Sequence, residues 1–340
     1  MSAVVNAVHP EKILKDLGEL WTSLGEDEKK QGQPTVLRAC AMTLIVVTDD
    51  EDEDALAASQ TLVDLMHVHP SRAIVIRVAS EPESEITARV LAQCWKPFGK
   101  AQQICSEQIE IQATPDHWPD IGPIILGIMV PDLPVVVWCR QKSALRRAGS
   151  ATQHEGLESL FALATKVIVD TRGPNPPEAI EALRSWKNGG RIVADLQWTR
   201  LTPWREAISG AFDEPQLLAL RDSFQTIEIV HSEPSPPSSA LYLAGWLSQG
   251  LNASVSFAQR TGFGTGLQRV ALLGPNATIE LERVGPQCAE LRAGSLRQTF
   301  ALSTFSLYKA MNEELNILGP DDQFRSAFAQ AQAFLPGANR

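Results

Sequence analysis

The sequence predicts an α/β protein of two domains. The N-terminal one is a mostly parallel α/β sheet, and the C-terminal one is an α/β domain with an antiparallel β-meander and terminal helices. Three observations carry this. Short apolar runs alternate with helix-length amphipathic segments from residue 37 onward. Between 253 and 302 the period changes to closely spaced alternating strands with Gly, Pro and Asn at the turns. The 340 residues, 44 % hydrophobic and 21 % charged, suit two cores of ~150 residues each.

Residues 9–24 place Ile13, Leu14, Leu17, Leu20, Trp21 and Leu24 on one helical face, and GEDEKKQGQP at 25–34 reads as a charged linker. Residues 1–34 are therefore a helix and linker ahead of a first domain at 35–150. In that domain Leu37–Thr48 reads as a strand, its apolar end fitting one covered on both faces. The acidic run at 49–54 suits the positive end of a helix reaching about Met66. Ala73–Ala79, Ile104–Ala113 and Pro134–Trp138 are strands, with a helix at 115–130 ended by Pro131 and room for one antiparallel edge. The basic stretch 141–154 marks the boundary.

The second domain, 151–335, continues with a helix at Leu157–Ala164, a strand at Lys166–Asp170, a helix at Pro177–Trp186 and a strand at Arg191–Leu196. A helix then runs from Thr202, as N-cap with Pro203 at the first position, to about Phe212. Gln225–Val230 is a strand and Ser238–Gln249 an apolar helix. Antiparallel strands fill 253–302, and helices follow near 304–317 and 321–334.

Forty acids against thirty bases give a net charge of −10, which argues against nucleic acid or an anionic membrane as partner. The longest apolar run, near 121–138, is broken by Pro123, Pro131, Asp132 and Pro134 and cannot span a bilayer. No apolar leader follows basic residues at the N-terminus. The five cysteines (Cys40, Cys94, Cys105, Cys139, Cys288) form no C-x-x-C pair, so a reduced, cytoplasmic protein without zinc is expected. No cofactor and no metal are expected: His67-x-His69 would face one side of a strand, as a metal pair could, but lacks a third ligand. Gly262-x-Gly264-x-Gly266 precedes a strand rather than a helix, so it reads as a hairpin turn rather than a phosphate loop. No Ser/His/acid order, P-loop or HExxH is present, so no catalytic residue is assigned and a binding or assembly role is favoured over group-transfer chemistry.

The chemistry-bearing stretch is DLQWTRLTPWRE at 195–206. Planar guanidinium groups beside large indole faces are the usual makings of a recognition surface, which makes Trp198, Thr199, Arg200, Trp204 and Arg205 candidates for partner binding or for supporting a site. A competing reading makes the tryptophans core and puts the surface elsewhere, on the 253–302 strands. Ser71 and Arg72, in HPSR at 69–72, could hold an anion, or form a plain turn with an exposed Arg. Asp170 and Asp195 lie at carboxyl ends of strands, where they could bind a sugar hydroxyl or pair with Arg200, or simply cap a turn.

HPSRAIVI at 69–76, VPDLPVVVW at 130–138, KVIVD at 166–170, DLQWTRLTPWRE with AFD at 211–213, and SSALYLAGWL at 238–247 together resemble the OpcA family of glucose-6-phosphate dehydrogenase assembly proteins, over roughly residues 37–300. The resemblance implies a protein that is not an enzyme. It implies binding to glucose-6-phosphate dehydrogenase, promotion of its active oligomer, and so support of NADPH production in the oxidative pentose phosphate pathway. The alternative is a sugar-phosphate-binding enzyme or sensor using Arg72, Asp170, Asp195 and Arg200. Some photosynthetic members are regarded as redox-responsive through cysteines. Residues 303–340 contain none, and no other cysteines lie close in sequence, so a thiol switch does not carry over.

Overall fold

The computed structural model describes residues 3–6, 8–30, 37–49, 55–79, 85–96, 103–146, 151–173, 175–302 and 305–335. Residues 31–34 of the expected linker, the acidic run at 50–54 and residues 147–150 before the expected boundary lie outside them, while residues 25–30 of that linker are helical instead. The chain divides into two compact units, one made of Met1–Asp170, Ala182–Val193 and Glu314–Gly319, the other of Thr171–Glu181, Ala194–Glu313 and Pro320–Arg340.

The N-terminal unit contains, in order, β1 (Ala3–Asn6), α1 (Pro10–Lys30), β2 (Leu37–Arg38), β3 (Met42–Asp49), α2 (Ala55–Val68), β4 (Ser71–Val78), β5 (Thr87–Trp95), β6 (Ile104–Ala113), α3 (Trp118–Ile128), β7 (Val135–Cys139), α4 (Ala151–Ala162) and β8 (Lys166–Val169). After α5 (Pro176–Asn188), β9 (Ile192–Asp195) completes a sheet of order β1-β5-β6-β4-β3-β7-β8-β9, with β2 paired to β6. The centre is parallel: Ile45 lies opposite Ile74 on one side and Val137 on the other. Buried on both faces, β3 and β7 are apolar almost throughout, as parallel central strands require. Buried Lys166 at the start of β8 donates to the Glu314 carboxylate and to the Ile317 carbonyl, which ties the 314–319 segment to this unit.

Four expectations change here. The strand foreseen from Leu37 to Thr48 is two strands, β2 on β6 and β3 between β4 and β7. The antiparallel edge consists of β5 and β1, neither of which was foreseen. His67 ends α2 rather than lying in a strand, and stacks at 4.8 Å on Trp95. Finally, the antiparallel register sets Cys94 directly opposite Cys105, and the two form a disulfide. Eleven residues apart, they do not look like a pair until β5 folds back on β6.

The C-terminal unit contains α6 (Leu196–Thr199), α7 (Thr202–Ala211), α8 (Pro215–Ala219), β10 (Thr226–His231), α9 (Ser238–Gly250), β11 (Ser254–Gln259), β12 (Leu267–Leu273), β13 (Thr278–Gly285), β14 (Cys288–Ala293), β15 (Leu296–Ala301), α10 (Leu307–Asn316) and α11 (Asp322–Ala331). Its sheet has the order β11-β10-β12-β13-β14-β15. The meander β12–β15 is antiparallel as expected, but β11 runs parallel to β10. Strand alternation gives one face to Ile227, Ile229, Val270, Leu272, Ile279 and Leu281, all buried, and α7 and α9 pack on the sheet. Gly245 lets α9 meet α11, since a Cβ there would sit 2.2 Å from the Ala327 carbonyl oxygen.

Thr202 is not the cap of α7. Leu201 holds that position, while the Thr202 hydroxyl donates to Glu313 Oε1 and accepts from Arg205. Pro sits in the first turn as expected, where its missing N–H costs nothing.

Candidate functional site

Asp195 organises the C-terminal unit locally. It is 0 % exposed at the end of β9 and caps α6 by accepting from Gln197 N at 2.9 Å. The same carboxylate accepts from Thr171 N at 3.2 Å, Thr171 Oγ1 at 2.6 Å and the Tyr242 hydroxyl at 2.7 Å. These four donors join the loop after residue 170, α6 and α9 around one anion. Burial and then the charge of Asp195 push the Tyr242 phenol well above its ordinary pKa, so it remains a donor. Asp195 is thus a structural hub, not an open ligand for a sugar hydroxyl. Asp170 follows β8 in the N-terminal unit and is half-buried.

The Trp/Arg block lies on this hub, and the structure corrects its expected exposure. Trp198 is 2 % exposed and Trp204 4 %, with Thr199 buried as well. Trp198 Nε1 donates to Asp321 Oδ2 at 2.8 Å, and Asp321 in turn caps α11 through Phe324 N. The Arg205 guanidinium stacks 3.8 Å from the centre of the Trp198 ring. The cation and the indole face are therefore partners of each other. Of this block, Trp204 and the half-buried Arg200 line an enclosure, while Trp198, Thr199 and Arg205 pack behind them without lining it.

That enclosure is a cavity of about 680 Å³ wholly within the C-terminal unit, a size in the range of small-molecule sites. Arg172, Arg200, Arg283 and Glu233 are the charged side chains lining it among the described residues. Trp204, Phe263 and Phe305 supply aromatic surface, and Ser238 and Ser239 bring the start of α9. The glycine run forms part of the rim but is not a hairpin turn: its flanking strands β11 and β12 both pair with β10, which lies between them. Gly264 and Gly266 hold φ of +76° and +89°, and Gly266 N donates to Glu233 Oε1 at 2.6 Å. Burial lowers the Arg283 pKa, against the pull of Glu233. Arg172, Glu233, Phe263, Arg283 and Phe305 were not foreseen. They come from separate segments, and only the Gly-rich run was a local signal.

Ser71 and Arg72 belong to the N-terminal unit and open strand β4 rather than forming a turn. Both are buried, and Arg72 is committed to Glu107 Oε1 at 2.6 Å and to the Ile128 carbonyl. Arg38 Nη2 reaches both Glu107 oxygens at 2.8 Å and Trp21 Nε1 reaches Oε2 at 3.0 Å. Arg72 is therefore half of a buried ion pair, neither an exposed turn residue nor open to an anion. Among the described residues no cluster of three or more His, Cys, Asp or Glu could hold a metal, and no helix is long and apolar enough to cross a membrane.

The outer face of the C-terminal sheet carries an ion-pair ladder. Arg269 pairs with Glu228 and Glu280, Arg292 with Glu280, Glu282 and Glu290, and Arg297 with Glu290.

Two family descriptions match the chain in order. The N-terminal domain described for a glucose-6-phosphate dehydrogenase subunit covers residues 63–185, and the corresponding C-terminal domain covers 191–328. A protein of Synechocystis sp. named as an OxPP cycle protein OpcA is 28 % identical over 288 residues, 81 % of this chain and 58 % of that protein. One of the same name from Nostoc punctiforme is 26 % identical over 264 residues, 72 % of this chain and 54 % of its own. The chain spans about half the length of the curated relatives it matches. Among solved structures, biliverdin reductase from Synechocystis sp. superposes with a TM-score of 0.43 at 11 % identity, covering 85 % of this chain and 96 % of that one.

Proposed function

Because this chain belongs to the OpcA family, we propose that it is a non-catalytic assembly factor and allosteric activator that binds glucose-6-phosphate dehydrogenase and promotes its active oligomer. In that role it supports NADPH production in the oxidative pentose phosphate pathway, in the cytoplasm. The observation that carries the reading is the match of both domains, in order, across well over half of the chain. A non-catalytic role is supported by Asp195, whose lone pairs are taken up by Thr171, Gln197 and Tyr242.

An activator of this kind must bind the active assembly more tightly than the inactive one. A preference of ~1.4 kcal/mol shifts the balance about tenfold. We assign the contact to the charged face of β10–β15, with Trp198, Thr199, Arg200, Trp204 and Arg205 supporting the unit from behind. Ion pairs that water reaches contribute little to folding, so the ladder is a weak stabiliser. As a fixed array of alternating charge it suits orientation of a protein partner. Dehydrogenase rate and assembly size, titrated with wild-type chain and with an Arg269→Ala/Arg292→Ala double variant, test this. The expected outcome is stimulation by the wild type and loss of most of it in the double variant. Full stimulation by a folded double variant would move the contact elsewhere.

A further inference from the structure

The cavity of the C-terminal unit has a chemistry that protein assembly alone does not require. Arg172, Arg200 and Arg283 face one carboxylate, Glu233, so its lining is net cationic in a chain of net charge −10. Two of these groups have buried atoms with no hydrogen-bond partner: Arg283 Nε and Glu233 Oε2. Each has its other end fixed, Arg283 Nη1 on the Phe263 carbonyl at 2.7 Å and Glu233 Oε1 on Gly266 N at 2.6 Å. A donor and an acceptor are therefore held in place and left unsatisfied, a condition costly enough that native structures usually relieve it with a ligand or water. A third group lies at the start of α9. Ser238 is 2 % exposed, and its Oγ closes no hydrogen bond of normal geometry, although the Tyr242 phenol is close enough to interact with it. The 13-residue helix α9 adds the positive end of its dipole at the same wall.

We infer that this cavity binds a small polyhydroxylated organic anion, such as a phosphorylated or carboxylated sugar derivative. The anionic group meets the arginines and the start of α9, and a hydroxyl pairs with the Glu233 carboxylate. A bare inorganic anion satisfies only the first half, and a neutral sugar only the second. Phe263 and Phe305 give apolar surface against which a carbon skeleton packs.

Calorimetry on the isolated full chain tests this independently of any dehydrogenase, so its failure leaves the assembly role standing. The probes are glucose 6-phosphate, 6-phosphogluconate, glucose and inorganic phosphate. The expected result is saturable one-site binding of at least one phosphorylated sugar, at least tenfold tighter than glucose or phosphate. Arg283→Met and Glu233→Gln each weaken it by about tenfold or more, with melting temperatures of the ligand-free variants confirming that they fold. No binding of either phosphorylated sugar at millimolar concentration overturns the proposal. So does equal affinity for inorganic phosphate, or binding that both folded variants leave unchanged.

Discussion

Glu107 in the N-terminal unit and Asp195 in the C-terminal unit are both buried carboxylates at the junction of several elements, yet they are neutralised differently. Glu107 is held by cations, Arg38 and Arg72, with Trp21 N–H as a third donor. The partners of Asp195 include four donors that carry no charge: two backbone N–H groups, a threonine hydroxyl and the Tyr242 phenol. The first arrangement straps helix α1 and strands β2 and β4 to β6. The second joins the loop after residue 170 and α6 to α9, beside a cavity that Arg172, Arg200 and Arg283 line.

The largest break in this comparison is Glu107→Ala. It strands the Arg72 guanidinium in a buried site, and removing one partner of a buried pair costs about 3–5 kcal/mol, measurable by urea unfolding. Asp195→Ala comes next at about 2–3 kcal/mol, since it leaves buried neutral donors unpaired. It also loosens the cavity wall, so ligand affinity falls along with stability.

The pH responses oppose each other. Burial alone raises the Glu107 carboxyl, but Arg38, Arg72 and Trp21 overcome it and hold the group below the ordinary carboxylate range. A depressed folded pKa gives stability that is fully present above the unfolded value of about 4.3 and lost as pH falls through the folded one. Wild type and Glu107→Gln should therefore converge in stability below about pH 4. Tyr242 is raised by burial and by Asp195, so its contribution is fully present below the unfolded value of about 10 and declines as pH rises from there. Tyr242→Phe should flatten the alkaline limb. The smallest effect is Arg205→Met, which removes the guanidinium from the Trp198 face for about 0.5–1 kcal/mol, read as a small drop in the urea midpoint.

The central parallel strands were legible because burial on two faces leaves a continuous apolar run, as in MTLIVVTD of β3 and VVVWC of β7. Strand β5 was not, because its place beside the short edge strand β1 mixes buried and exposed residues within TARVLAQCW and no single period emerges. The parallel placement of β11 depends on which neighbour it finds, a choice without a local mark. In the 195–206 block the chemistry was readable, and its destination was not: an arginine beside a tryptophan reads the same in one dimension whether it stacks on its own chain or on a partner. The cavity was invisible for a related reason. Its lining comes from the 171–173, 175–176, 197–204, 233–239, 263–267 and 283–286 stretches with Leu302 and Phe305, and only folding brings them together.

The most direct test of an assembly role measures initial rate and assembly size of purified glucose-6-phosphate dehydrogenase as this chain is titrated in, with the chain alone as control. The expected result is a saturable rise in rate together with a shift toward the larger assembly, and no turnover by the chain alone. A dehydrogenase whose rate and assembly stay unchanged at a saturating excess of folded chain would contradict it.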